Sequence, residues 1–303
     1  MDEKQKMVLA RIVNEKILFN CEMAQYTTFR VGGRATAVCF PNDLRALRKT
    51  VGFLHREEIP YLVVGRGSNL LISDSGFNGT IIILRGSLAY VRQSNTDKRL
   101  VSTGAGAGIS ELISFCVNRG LGGLEFMAGI PGTVGGAVFM NAGAYGKEIG
   151  EFITEIHTVS RDGEQKKMRY GEMVFSYRKA PFEEGEIISG VRLQLEEDES
   201  ESIKTKVSDY MRRRKETQPL ELPCAGSVFK NPENDYAGRL IEAAGLKGER
   251  IGGAMISPKH ANFIVNQGDA RARDILDLID LVRERVKEVS GVDLELEVKV
   301  IGN

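Results

Sequence analysis

Apolar positions along the chain recur with two periods. Leu44, Leu47, Val51 and Leu54 repeat at helical spacing after Pro41-Asn42-Asp43, and Pro60 stops the run, which predicts a helix. Residues 1–20 read as an amphipathic helix followed by a strand. A second predicted helix spans Ile109 to Arg119, with Gly120 as its stop. Ile203 to Thr217 reads as a third. Ile275, Leu278, Ile279, Val282 and Val286 mark a longer one that ends near Gly291. Short apolar runs predict strands at Tyr61–Val64, Thr80–Leu84 and Leu100–Thr103. Alternating strands are expected through 152–195, with Asp162-Gly163 as a hairpin turn. The final segment, Leu294 to Val300, alternates strictly, so it reads as one strand with Glu295, Glu297 and Lys299 on its polar face. The acidic run at 196–201 interrupts these patterns and is the expected domain boundary.

Composition narrows the function. Lys+Arg and Asp+Glu both total 41 in 303 residues, so the net charge is zero. A general nucleic-acid coat needs excess cations to displace phosphate counterions, so that class is excluded. No run reaches the roughly 20 apolar residues of a membrane span. The charged first 20 residues lack the apolar core of a secretory signal. Cys21, Cys39, Cys116 and Cys224 are scattered without metal-ligand spacing, so neither a disulfide frame nor a metal site is expected. Reduced thiols fit a cytoplasmic protein better.

Glycine is the outlier: there are 34, thirteen of them between Gly104 and Gly150. Two glycine-rich segments look built for a diphosphate. One is Gly65-Arg66-Gly67-Ser68-Asn69-Leu70, directly after a predicted strand. The other runs from Gly129 through Pro131, Gly132, Thr133, Gly135 and Gly136 to Asn141, Ala142 and Ala144. Glycines let successive N–H groups converge on an anion, and bare backbone lets a flat ring approach. Gly104 to Gly108 reads as a third such loop. It is G-x-G-x-G rather than the Rossmann G-x-G-x-x-G, and no P-loop Gly-Lys-Ser/Thr is present. A dinucleotide held by another fold is required.

The stretches VVGRGSNLLISDSGFNGTIIIL (63–84) and GLEFMAGIPGTVGGAVFMNAGAYG (123–146) resemble the flavin-binding signatures of the UDP-N-acetylenolpyruvoylglucosamine reductase family. The resemblance continues through Phe175-Ser176-Tyr177-Arg178, through Ala225-Gly226-Ser227-Val228-Phe229-Lys230-Asn231-Pro232, and into Leu296-Glu297-Val298. It implies an α+β fold: a two-part FAD-binding domain of the vanillyl-alcohol-oxidase type over residues 1–198, with lobes of about 1–60 and 61–198, and an α+β substrate-binding domain over 199–303. FAD is the implied cofactor, with Thr103 added to the two loops as a contact, and NADPH is the implied reductant. The implied substrate is UDP-N-acetylglucosamine enolpyruvate, a peptidoglycan precursor. Neither nucleic acid nor a membrane span enters the picture, and a monomer is compatible with it.

That reaction needs a cation, a proton donor and a group that assists it. By the resemblance these are Arg178, Ser227 and Glu297, although Glu295 shares the polar face with Glu297. A guanidinium can grip a carboxylate bidentately. A serine hydroxyl is a weak acid suited to protonating a carbanion, and the sequence around Ser227 lacks the second glycine of a hydrolase nucleophile elbow. Tyr145, Lys215, Asn231 and His260 are candidate substrate contacts. Cys224 reads as a packed side chain rather than a reactive thiol. The stretch between Arg178 and Ser227 has no room for the tyrosine-bearing segment of one family branch, so the chain resembles the shorter, type II branch. The alternatives are another flavin oxidoreductase of the same fold or a non-catalytic nucleotide-binding module.

Overall fold

Burial separates the chain into two apolar cores. The structure, a computed structural model, describes residues 1–183 and 185–302. Two compact units interleave along the sequence. The first takes Met1–Phe19, Thr36–Gly65 and Gly79–Arg212; the second takes Asn20–Ala35, Arg66–Asn78 and the chain from Arg213 onward.

In the first unit the helix Leu44–Arg56 starts where Asp43 accepts a hydrogen bond from the Ala46 amide at 2.7 Å. Such a cap contributes about 1 kcal/mol. Its stripe of Leu47, Val51 and Leu54 is fully buried with Leu9, Leu112 and Val101. The helix Ile109–Arg119 ends at Gly120 in the left-handed conformation, as expected of a C-terminal stop. A five-stranded antiparallel sheet runs in the order Gln165–Arg169, Ile153–Val159, Ile187–Gln194, Leu100–Gly104, Val91–Gln93. Asp162-Gly163 turns the hairpin between its first two strands.

The expected run of strands through 152–195 is interrupted between Arg169 and Ile187. Gln165–Arg169 and Ile187–Gln194 pair with opposite edges of Ile153–Val159, so the intervening chain must cross from one side to the other. The acidic run is no break either. Glu196–Glu197 pairs with Leu121–Gly122, and the helix Ser200–Thr217 follows at once. The two units part inside that helix, after Arg212.

The second unit packs the helix Ala272–Ser290 over an antiparallel sheet of Arg250–Ile251, Ala254–Ile256 and Ile264–Asn266. Asp74 accepts from the Ala272 and Arg273 amides at 2.9 and 3.0 Å, a carboxylate at the positive helix end. Gly291 (φ 73°) terminates the helix. Leu294–Val300 is not one strand. It makes an antiparallel bridge at Leu296 to Phe229, bends at Val298, and then pairs parallel to Leu70–Ile72 as Lys299–Ile301. The bend lets one segment serve two partners. Among the described residues no helix is long and apolar enough to cross a membrane.

Candidate active site

The glycines divide by what stands against them. A Cβ at Gly104 would lie 2.3 Å from the Leu88 carbonyl oxygen, and one at Gly106 2.6 Å from that of Leu84. These positions are glycine so that backbone can pack on backbone, and the Gly104, Ala105, Gly106 and Ala107 amides already donate to the Tyr90, Ser189, Leu88 and Gly104 carbonyls, which leaves these four amides engaged rather than turned to an anion as the sequence led one to expect. Gly65 and Gly135 are equally crowded, by the Thr133 side chain and by Ala105. The loop 129–136 differs. Gly129 (φ 77°) and Gly132 (φ 149°) adopt conformations open to glycine, Gly129, Pro131 and Gly136 are exposed, and a Cβ on Gly136 would meet nothing nearer than 3.5 Å. Thr133 caps the helix Val134–Phe139 by accepting from the Gly136 amide. This bare, exposed main chain fits a flat, diphosphate-bearing group. Thr103 is fully buried in the sheet, and its hydroxyl donates to the Gly104 carbonyl at 3.2 Å.

Asn141 follows the loop and has no exposed surface. Its Oδ1 accepts from Gly150 N at 3.1 Å, and its Nδ2 donates to the Ser176 carbonyl at 3.1 Å and to the Glu148 carboxylate. The carboxamide expected to meet a cofactor is therefore engaged with protein. Ala142 and Ala144 are partly buried beside it. Arg178 lies at the tip of a tight turn in which Ser176 and Lys179 exchange N–H···O bonds at 3.0 Å each. Its Nη2 donates to the Gly143 carbonyl at 3.3 Å, and its guanidinium stacks 4.8 Å over Tyr177. Tyr145 is 46% exposed, at φ 55°, with its ring 4.6 Å from that of Tyr210. Asn141, Tyr145 and Arg178 all hold left-handed backbone, a strain that clusters at functional segments.

In the second unit the segments that carry Ser227 and Glu297 lie side by side. The Glu297 amide donates to Val228 O at 2.8 Å and Lys230 N to Glu295 O at 2.8 Å, which sets the two segments side by side. Glu295 is 76% exposed and paired with Lys230 at 3.1 Å, whereas Glu297 is half-buried. Ser227 is half-buried after Gly226 (φ 74°), and among the described residues its hydroxyl forms no hydrogen bond, so it is not the backbone-bonded turn serine that such a position commonly holds. The loop Arg66–Leu70 supports the Glu297 segment. Asn69 Nδ2 donates to Glu297 O at 3.0 Å, and Asn69 O accepts from Lys299 N at 3.0 Å. Gly67 (φ 63°) is buried, and its carbonyl accepts from Thr28 N at 3.2 Å. Arg66 is exposed and Ser68 half-buried.

The sequence reading missed Asn262. It is 3% exposed, its Oδ1 accepts from Phe229 N at 2.9 Å, and its Nδ2 donates to Phe229 O at 2.8 Å. A lone carboxamide inside the apolar run Ala261–Val265 was the available signal, because a buried amide needs partners. His260, chosen from the same segment, is packed 4.7 Å from the Phe263 ring, and burial holds its pKa below the usual imidazole value. Lys215 is exposed, and its carbonyl accepts from Lys259 Nζ at 2.6 Å. Asn231 Oδ1 accepts from Ala237 N at 3.1 Å, at the start of the helix Ala237–Ala243. Burial raises the Cys224 thiol above its usual range, in keeping with a packed side chain.

Comparisons with known proteins decide between the families this geometry permits. The chain is 45% identical over 284 residues to the UDP-N-acetylenolpyruvoylglucosamine reductase of Thermotoga maritima, covering 93% of this chain and 98% of that one. The chain belongs to the UDP-N-acetylenolpyruvoylglucosamine reductase family. Residues 218–301 match that family's C-terminal domain, and residues 35–169 match an FAD binding domain. It is therefore an FAD-dependent oxidoreductase with the α+β architecture expected from the sequence. The crystal structure of the family enzyme from Thermus caldophilus is 38% identical and superposes with a TM-score of 0.81 over 93% of this chain and 98% of that one. A Phl p 4 variant described as a glucose oxidase matches at a TM-score of 0.51 with 16% identity, over 75% of this chain and 52% of that one, and shares the fold alone.

Proposed function

We propose that the chain reduces the enolpyruvyl ether of UDP-N-acetylglucosamine enolpyruvate to the lactyl ether of UDP-N-acetylmuramate, with NADPH as reductant, in peptidoglycan precursor synthesis in the cytoplasm. Membership of the reductase family over nearly its whole length supports this. The observation that carries the mechanism is the bridge that sets the segments of Ser227 and Glu297 side by side, with a Ser227 hydroxyl that forms no hydrogen bond among the described residues.

FAD, when bound against the loop 129–136, would supply the hydride chemistry for the terminal carbon of the enolpyruvyl group, with NADPH as the source of the electrons. Arg178 binds the substrate carboxylate and offsets the negative charge that develops at the adjacent carbon. Ser227 donates the proton that completes the product, so hydride and proton together saturate the double bond. Glu297 assists that proton delivery. The exposed loop 129–136 and the segment Gly65–Leu70 hold the cofactor, largely through main chain. Tyr145 and Lys215 meet the substrate, Lys215 as a counter-charge to phosphate. Asn231 and His260 contribute further substrate contacts, His260 as a neutral ring. FAD binding is assigned chiefly to the unit built from Met1–Phe19, Thr36–Gly65 and Gly79–Arg212, and proton delivery to the unit that carries Ser227 and Glu297. An alcohol oxidase of the same fold has no use for an arginine, serine and glutamate set directed at an enolate.

The test is the visible spectrum of the purified holoenzyme under anaerobic conditions. NADPH should bleach the flavin bands, and only the enolpyruvyl sugar nucleotide should restore them. Recovery with oxygen alone, at an equal rate, overturns the reading, as does a protein that stays colourless in the presence of FAD.

A further inference from the structure

The turn that carries Arg178 lies on the crossing between Arg169 and Ile187, where Ser176 and Lys179 form an antiparallel bridge. It is tied to the glycine loop at two points, one of them the bond from Arg178 Nη2 to the Gly143 carbonyl. Asn141 donates from Nδ2 to the Ser176 carbonyl at 3.1 Å, at the base of the turn, and the same nitrogen donates to Glu148. Oδ1 is fixed by Gly150 N at 3.1 Å. Asn141 itself has no exposed surface, so its amide is rigid when engaged and costly when not, although Ser176 is exposed and Glu148 half-buried. Gly150 makes the approach possible: a Cβ there would lie 2.8 Å from Asn141 Oδ1 and 2.9 Å from the Phe175 ring, the residue that leads into the turn. Asn141 sits at φ 42° and Arg178 at φ 57°, so both ends of the link hold conformations that need support.

We propose that Asn141, oriented by Glu148, is a positioning residue for Arg178: it fixes the base of the turn so that the guanidinium meets the substrate carboxylate in one orientation. This deepens the proposed function and rests on the assignment of Arg178. Asn141 acts on the substrate half-reaction through Arg178 and contributes nothing through its carboxamide to reduction of the flavin.

The experiment uses the holoenzyme in anaerobic stopped flow, with flavin bleaching by NADPH and reoxidation by the enolpyruvyl sugar nucleotide followed separately. Asn141→Gly keeps the left-handed backbone accessible and removes the carboxamide. It should slow reoxidation on the order of 10- to 100-fold, the effect of a misplaced binding group, and leave bleaching unchanged. In an Arg178→Ala background the same substitution should add nothing, because the pathway through Arg178 is already gone. Losses that multiply in the double variant overturn the proposal, as does an equal fall in both half-reactions. If Arg178→Ala alone reoxidises at the parental rate, the Arg178 assignment itself fails, a different result from failure of the Asn141 link. Should Asn141→Gly not fold, Glu148 serves instead. Glu148→Gln keeps an oxygen to accept from Asn141 and should retain reoxidation, whereas Glu148→Ala should slow it; equal behaviour of the two overturns the proposal.

Discussion

Asn262 offers the most direct test of how the segment of the proposed proton donor, Ser227, is held. Phe229 bridges Leu296, and the flanking bonds of that bridge run from Glu297 N to Val228 O and from Lys230 N to Glu295 O. The N–H and C=O of Phe229 itself therefore point to the opposite side. There the Asn262 carboxamide meets both, at 2.9 and 2.8 Å, as an adjoining strand would. Asn262→Ala removes both partners at once. Phe229 is 1% exposed, so water does not replace them. Each buried main-chain group left without a partner costs about 1–3 kcal/mol, so the pair should cost about 2–6 kcal/mol. For a chain of this size that corresponds to a fall in melting temperature of roughly 3–10 °C, followed by circular dichroism on the holoenzyme. The loosened segment carries Ser227, two residues before Phe229, so reoxidation by substrate should slow while bleaching by NADPH persists. The bond from Val228 N to Asn262 O at 2.9 Å is main chain and survives, which limits the damage to this clamp. A variant that melts within about 1 °C of the parent refutes the strand-like role, since even one orphaned group exceeds that shift.

Three further outcomes follow from the same geometry. Ser227→Ala should still bleach with NADPH but reoxidise with substrate at least about 100-fold more slowly, the usual contribution of a positioned acid, in stopped flow; parental reoxidation would remove Ser227 from the mechanism. Gly67→Ala forces a side chain into φ 63° with its Cβ 2.0 Å from the Tyr26 carbonyl oxygen, so it should lose about 1–3 kcal/mol for the backbone alone, and FAD retention on gel filtration should fall with it. His260 is held neutral by burial, so its folded pKa lies below the unfolded value near 6.5. Its stabilising effect is then complete above that pH and is lost as pH falls through the folded pKa, because the unfolded chain binds the proton first. Denaturation curves between pH 7.5 and 5 should show that slope in the parent and a weaker one in His260→Asn; identical slopes would contradict a buried neutral ring.

The fold was legible wherever one periodicity served one partner. Leu44 to Leu54 and Ile275 to Val286 each bury a single helical stripe, and caps at Asp43, Gly120 and Gly291 mark ends that local chemistry dictates. Legibility failed where a segment changes partner. Strict alternation from Leu294 to Val300 correctly separates buried Leu294 and Val298 from exposed Glu295, but it cannot show that the backbone leaves Phe229 for Leu70–Ile72 midway. The interleaving of 20–35 and 66–78 with the chain after Arg213 is invisible for the same reason, since it depends on contacts between distant segments.

The site shows a second kind of limit. Sequence chemistry chose side chains by what they could offer a ligand, and for Asn69 and Asn141 that choice overlooked the main chain as a competitor. Asn69 supports Glu297, Asn262 supports the segment of Ser227, and Asn141 supports the turn of Arg178, each by a carboxamide bonded to backbone of the segment that carries a residue proposed for the chemistry. A carboxamide suits this task because it donates and accepts in one plane, as a peptide does. Reactive groups on loops gain rigidity from such buried bonds without the length of a sheet. The expected consequence is that conservative exchanges at these asparagines perturb the substrate half-reaction more than the residues' distance from substrate suggests. Exposed Lys215, bound to the fold through its main chain, should affect only the apparent affinity for the sugar nucleotide. A Lys215→Ala variant with parental affinity and a reduced turnover number would contradict that division of labour.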